Sequence, residues 1–157
     1  MDISHPDRII FPDDGLTKGD VVAHYVAVGD VMLDAVRHFT PAARARLGLD
    51  RFGVEAGNYS VLTLHRAENT DDAQRLGELL DAIAEHACDE TIVFPMHPRT
   101  RAAIERFGFA DRLSKLRVID PLPYFEMLRL LVDARLLLTD SGGLQKEAFF
   151  AGIPCIT

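Results

Sequence analysis

From Tyr59 onward, short apolar runs alternate with stretches in which apolar residues recur every three or four positions, and polar turns separate the two. Runs rich in β-branched residues and leucine predict strands, and the longer spacing predicts helices with one buried stripe. Strand, turn and helix in repetition predict a parallel sheet joined by crossover helices.

The first run, Ser60-Val61-Leu62-Thr63-Leu64, precedes a helix with Ala73, Leu76, Leu79, Leu80, Ile83 and Ala87 on one stripe and Thr70 or Asp71 as its cap. The second, Thr91-Ile92-Val93-Phe94-Pro95-Met96, leads through His97-Pro98-Arg99-Thr100 to a short helix carrying Ala103, Ile104 and Phe107, which Gly108 ends in a left-handed turn. The third, Leu116-Arg117-Val118-Ile119, meets Asp120-Pro121-Leu122-Pro123 and a helix presenting Phe125, Leu128, Leu131 and Val132. The fourth, Arg135-Leu136-Leu137-Leu138-Thr139, is the most uniformly apolar and predicts a central strand covered on both faces; Asp140-Ser141-Gly142-Gly143 follows it. A helix from about Gly143 to Ala151 stops at Gly152, and Pro154-Cys155-Ile156-Thr157 opens a fifth strand, at which the sheet is expected to be cut short. Upstream, Val31 to Leu47 reads as a helix that Pro41 bends or divides, and residues 1–27 differ in style. The expected fold is therefore α/β, a three-layer Rossmann-like parallel sheet.

Every apolar run breaks before the roughly 18–20 residues that a membrane helix needs, so no membrane partner is expected. No charged stretch followed by an apolar segment opens the chain, and Cys88 and Cys155 lack metal or redox spacing; a cytoplasmic protein with reduced thiols is expected. The formal net charge is −7 with scattered basic residues, which argues against a nucleic-acid surface and leaves any polyanion to a small local site. His65, Glu68 and His97 lack a recognised ligand spacing, and neither a metal nor a cofactor is expected.

In open parallel sheets ligands sit at the carboxyl ends of the strands, where loops converge and helix N-termini point. Four polar clusters fall there: His65-Arg66-Ala67-Glu68-Asn69, His97-Pro98-Arg99, Asp120-Pro121-Leu122-Pro123 and Asp140-Ser141-Gly142-Gly143. In the last, the glycines admit a diphosphate to the backbone, amide N–H groups and the helix dipole stabilise its charge, and the Ser141 hydroxyl adds a donor. Glu147, about one helical turn beyond Gly143, is placed to accept from ribose hydroxyls. The same residues read equally as a tight strand-to-helix turn with a solvated helix charge. His65 with Arg66 and Glu68 suits phosphate binding or proton transfer, and otherwise is a surface loop with incidental ion pairs. His97 reads as a helix cap or as a ligand contact.

Several motifs in order carry a family resemblance: Gly29-Asp30-Val31-Met32-Leu33-Asp34-Ala35, Leu62-Thr63-Leu64-His65-Arg66-Ala67-Glu68-Asn69, Pro95-Met96-His97-Pro98, and Leu138-Thr139-Asp140-Ser141-Gly142-Gly143-Leu144-Gln145-Lys146-Glu147-Ala148. Residues 28–157 thereby resemble the C-terminal domain of the non-hydrolysing UDP-N-acetylglucosamine 2-epimerases, one half of a glycosyltransferase-B architecture. The resemblance implies that His65, Ser141, Gly142, Gly143 and Glu147 hold uridine diphosphate, with His65 also catalytic, and that the loop from Pro121 to Phe125 lies against uracil. It implies second-substrate contacts at Arg66 and His97. The implied reaction is C2 epimerisation of UDP-N-acetylglucosamine by elimination and re-addition of UDP. Its acid–base carboxylates are implied to sit in another domain, so that residues 28–157 alone are not expected to catalyse it.

Residues 1–27, with His5-Pro6-Asp7-Arg8-Ile9-Ile10-Phe11-Pro12, Gly15-Leu16-Thr17-Lys18-Gly19-Asp20 and Tyr25, resemble the opening of the polymerase domain of bacterial DNA ligase D. A chimera is expected on that reading. The stop at Thr157 within the fifth strand is expected to leave part of the core uncovered, which favours a homo-oligomer. The alternatives to a nucleotide-sugar domain are a structural, oligomeric chimera without ligand function and, further off, a nucleic-acid processing module.

Overall fold

The computed structural model describes residues 5–11, 15–87 and 90–157; Cys88 and Pro12, named above, lie outside them. Contacts divide the chain into two compact units, Met1–Ala35 and Val36–Thr157, with the division inside the first helix. The expected boundary at 27/28 falls within the first of these units.

In the first unit, β1 (Ile9–Phe11) pairs antiparallel with β2 (Leu16–Thr17), and α1 (Lys18–Arg46) begins at once. Thr17 and Asp20 cap each other: Asp20 Oδ2 accepts from the Thr17 amide at 2.9 Å and hydroxyl at 2.7 Å, and the Asp20 amide donates to Thr17 Oγ1 at 3.2 Å. Those bonds hold the Asp20 carboxyl below its ordinary value. Pro41 does not divide α1 as expected. It removes one amide from the ladder, but Pro41 and Arg37 are both exposed, so water can reach the carbonyl left over.

The second unit is built on a five-stranded sheet in the order β5-β4-β3-β6-β7, every pair parallel. Its strands are β3 (Tyr59–Thr63), β4 (Thr91–Pro95), β5 (Arg117–Ile119), β6 (Leu136–Thr139) and β7 (Cys155–Ile156). Between them run α2 (Ala67–Thr70), α3 (Ala73–His86), α4 (Pro98–Phe107), α5 (Tyr124–Leu131) and α6 (Gly142–Ala151).

Side chains alternate across the sheet with the period of two that extended backbone imposes. Tyr59, Val61, Val93 and Leu137 face Leu130 and Leu131 of α5 and Ala148 of α6, with Leu49 and Phe52 from the preceding 3-10 turn. Leu62, Leu64, Ile92 and Phe94 face Leu76 and Leu80 of α3 and Ala103 and Ile104 of α4. Helices thus cover both faces, which gives the three layers expected. Each leucine so enclosed contributes about 1.5–3 kcal/mol.

β6 is an interior strand of the sheet, as expected, with β3 on one side and β7 on the other; β3 is buried throughout, whereas Leu136 and Leu138 of β6 are half-buried beside the two-residue β7. One expectation is corrected here. Asp72, rather than Thr70 or Asp71, caps α3, accepting from the Arg75 amide at 2.8 Å. Thr70 closes the short turn α2 instead, its hydroxyl donating to the Arg66 carbonyl at 3.0 Å.

Gly108 ends α4 at φ 70°, as its position in the sequence predicts. Beneath α5, buried Arg129 donates from Nε to the Leu47 carbonyl at 2.8 Å and pairs with Asp133, which also takes the Arg44 guanidinium at 2.5 Å. Among the described residues, no helix is long and apolar enough to cross a membrane.

Candidate functional site

The register of β3 against β6 sets the site. Thr63 lies opposite Thr139, so the loops that follow, beginning at His65 and Asp140, emerge side by side. The two threonine hydroxyls share a hydrogen bond of 2.5 Å, and Thr139 Oγ1 also accepts from the Ser141 amide at 2.9 Å.

Asp140 ties the loops together. Its Oδ2 accepts from the amides of His65 at 2.9 Å and Arg66 at 2.8 Å, and from Asn69 Nδ2 at 3.1 Å. Its Oδ1 lies 3.2 Å from His65 Nδ1. Neither Asp140 nor Asn69 was assigned a role from the sequence, although both sit inside the motifs; their partners depend on strand register, which local pattern does not encode.

Ser141 is the N-cap of α6, its Oγ accepting from the Leu144 amide at 3.4 Å. That bond uses a lone pair and leaves the hydroxyl proton to donate elsewhere. Gly142 and Gly143 form the first turn, where amides have no helical partner and the helix dipole favours an anion. A Cβ on Gly142 would meet only Arg66 Nη2, at 3.9 Å, and one on Gly143 only Ser141 Oγ, at 3.8 Å. Neither glycine has a positive φ, so the fold itself does not require a missing side chain at either position.

Glu147 lies further along α6, half-buried, and that burial raises its carboxyl above the ordinary range. Tyr124 is raised as well, first by burial and then by the Glu147 charge. Phe39 meets the rings of Tyr124 and Phe125 edge-on, with centroids 6.4 and 6.3 Å away. The Tyr124–Phe39 contact was not read from the sequence, where the two lie far apart.

His97 caps α4: its Nδ1 accepts from the Arg99 amide at 3.1 Å, which settles the helix-cap role. Its ring also stacks obliquely on that of His65, with centroids 5.6 Å apart. Arg66 pairs with Glu68 at 3.4 Å, both exposed. Arg99 is held by Asp71 at 2.7 Å and Thr70 Oγ1 at 3.1 Å. The structure therefore brings His65, Arg66, His97, Asp140, Ser141 and Gly142 to one rim, with Glu147 on α6 near enough to Tyr124 for its negative charge to disfavour the phenolate. Among the described residues, no cluster of three or more histidine, cysteine, aspartate or glutamate side chains is arranged to hold a metal ion.

A parallel sheet wound on both faces, with its polar loops gathered at the strand ends, defines a Rossmann-like domain of the glycosyltransferase-B class. An Escherichia coli heptosyltransferase has the same fold, at TM-score 0.51 and 20% identity over 78% of this chain and 36% of that one. Residues 16–157 match the UDP-N-acetylglucosamine 2-epimerase family, and the chain belongs to it. The matched range takes in residues 16–27, part of the segment set apart above.

The UDP-2,3-diacetamido-2,3-dideoxy-D-glucuronate 2-epimerase of Pseudomonas aeruginosa is 46% identical over 136 residues, which cover 86% of this chain and 36% of that protein. The Methanocaldococcus jannaschii UDP-GlcNAc 2-epimerase, solved with UDP-GlcNAc and UDP, superposes at TM-score 0.72 and 37% identity over 80% of this chain and 36% of that one. The chain thus spans about a third of the length of the curated relatives it matches.

Proposed function

We propose that residues 36–157 hold the uridine diphosphate of a UDP-linked acetamido sugar and serve the nucleotide-binding half of a C2 epimerisation. The observation that carries this is the start of α6, where two glycines without a positive φ place first-turn amides, which have no helical partner, beside Arg66. Amides of Gly142 and Gly143 and the Ser141 hydroxyl take the diphosphate, Glu147 accepts from ribose, and the loop from Pro121 to Phe125 covers the base. His65 is the catalytic contact at the diphosphate; Arg66 and His97 border a second substrate molecule.

In the reaction, the C2 proton and UDP leave the sugar, giving a 2-acetamidoglucal. UDP then returns to C1 as a proton reaches the opposite face of C2. A diphosphate held by preorganised donors is a better leaving group, because charge develops on it as the C1–O bond breaks. The proton transfers need carboxylates on the sugar's other side, and the part proposed for residues 36–157 is to hold the nucleotide. The relatives share UDP and epimerisation at C2 but differ in the sugar, and the proposal extends to the acetamido class they have in common.

Calorimetric titration with UDP tests this. Saturable heat that disappears in Ser141→Ala combined with Glu147→Ala supports the proposal, and no heat at millimolar UDP refutes it.

A further inference from the structure

Three N–H groups converge on one oxygen of Asp140, those of His65, Arg66 and the Asn69 side chain. The direction of the Asn69 amide is fixed from behind: Arg75 Nε, which can only donate, reaches Asn69 Oδ1 at 2.9 Å, so the amide nitrogen faces Asp140. The other carboxylate oxygen, Oδ1, is buried and has no hydrogen-bond partner among the described residues; the side chain is only 8% exposed. An unsatisfied carboxylate oxygen in such a place is expensive. His65 Nδ1 lies 3.2 Å from it, and a small rotation of the imidazole about its soft terminal torsion aims an N–H at the oxygen.

We infer that Asp140 is the positioning residue of His65: Oδ2 fixes the loop that carries the histidine, and Oδ1 holds the imidazole with its Nδ1–H turned inward and Nε2 presented outward. This rests on the reading of His65 as a ligand contact. The neutral ring then offers a lone pair at Nε2. A proton taken up there makes Nε2 a cationic donor to a phosphate oxygen, and the Asp140 carboxylate balances the charge.

The tautomer is read directly from the imidazole nitrogens by long-range proton–nitrogen NMR on the full chain without ligand, about two pH units above the ordinary histidine value of about 6.5. His65→Gln identifies the resonances. The expected result is a protonated Nδ1 and a bare Nε2 in the native protein. In Asp140→Asn the amide oxygen takes over the three donors and its NH2 group faces the ring, so the proton moves to Nε2. A native His65 protonated at Nε2 overturns the inference, as does an unchanged tautomer in a folded Asp140→Asn. If that variant does not fold, the native spectrum alone decides. UDP calorimetry is read apart from this: no heat with the Nδ1–H tautomer in place sinks the nucleotide proposal and leaves Asp140 its role, while heat with the opposite tautomer does the reverse.

Discussion

Thr63 and Thr139 join hydroxyl to hydroxyl at 2.5 Å on the last rung between β3 and β6, both buried. Thr139 also accepts from the Ser141 amide, so it loses more on removal than Thr63 does. Thr139→Val should destabilise the protein by about 2 kcal/mol and Thr63→Val by about 1 kcal/mol. The double variant should fall short of the sum, because replacing both partners leaves no orphan hydroxyl between them. Urea unfolding of the full cycle checks this.

Glu147 sets a pH dependence. Burial raises its carboxyl in the folded state, so between the ordinary glutamate value and the raised one the native protein binds more protons than the unfolded chain. Stability contributed by that proton is present below the ordinary value and is lost as pH rises through the raised one. Glu147→Gln should therefore raise the unfolding midpoint at about pH 7.5 and change it little at about pH 3.5. The same variant should bind UDP more weakly if ribose is the carboxylate's partner, which thermal melts with and without UDP will separate.

Gly142 and Gly108 should respond oppositely to alanine. At Gly142 there is room and no positive φ, so Gly142→Ala should leave stability unchanged or raise it by about 0.5 kcal/mol while reducing UDP affinity at least tenfold. At Gly108 there is also room, but φ is 70°, and Gly108→Ala should cost about 1–2 kcal/mol with UDP binding intact. Denaturation and calorimetry on both proteins check the contrast.

Arg129 is buried against the Leu47 carbonyl and Asp133. Truncating it leaves both acceptors short of a donor, although Arg44 still reaches Asp133. Arg129→Ala should destabilise by about 3 kcal/mol, and Arg44→Ala, at an exposed guanidinium, by less than about 1 kcal/mol. Chemical unfolding distinguishes the two.

The strands and helices of the second unit were legible because burial on each face repeats at short range, as with Leu76 and Leu80 or Val93 and Phe94. Strand order was not. The leucines of β6 mark an interior strand, but nothing local marks β3 as its neighbour and the middle of the five, a place where the Ser60 and Thr63 hydroxyls find partners far along the chain. Ser60 donates to Glu90 at 2.6 Å, 30 residues on, and Thr63 meets Thr139, 76 residues on. The rim of the site was legible for a related reason: strand ends must share an edge once the sheet is parallel. What held that rim together was hidden, since Asp140 reaches its partners only after β3 and β6 have aligned.

The capping bond of His97 carries one more consequence. With Nδ1 engaged by the Arg99 amide, a neutral His97 keeps its hydrogen on Nε2 and can only give it away there. Two imidazoles 5.6 Å apart would then have opposite polarity, one giving and one receiving. A molecule lying across both would be read for its direction as well as its shape.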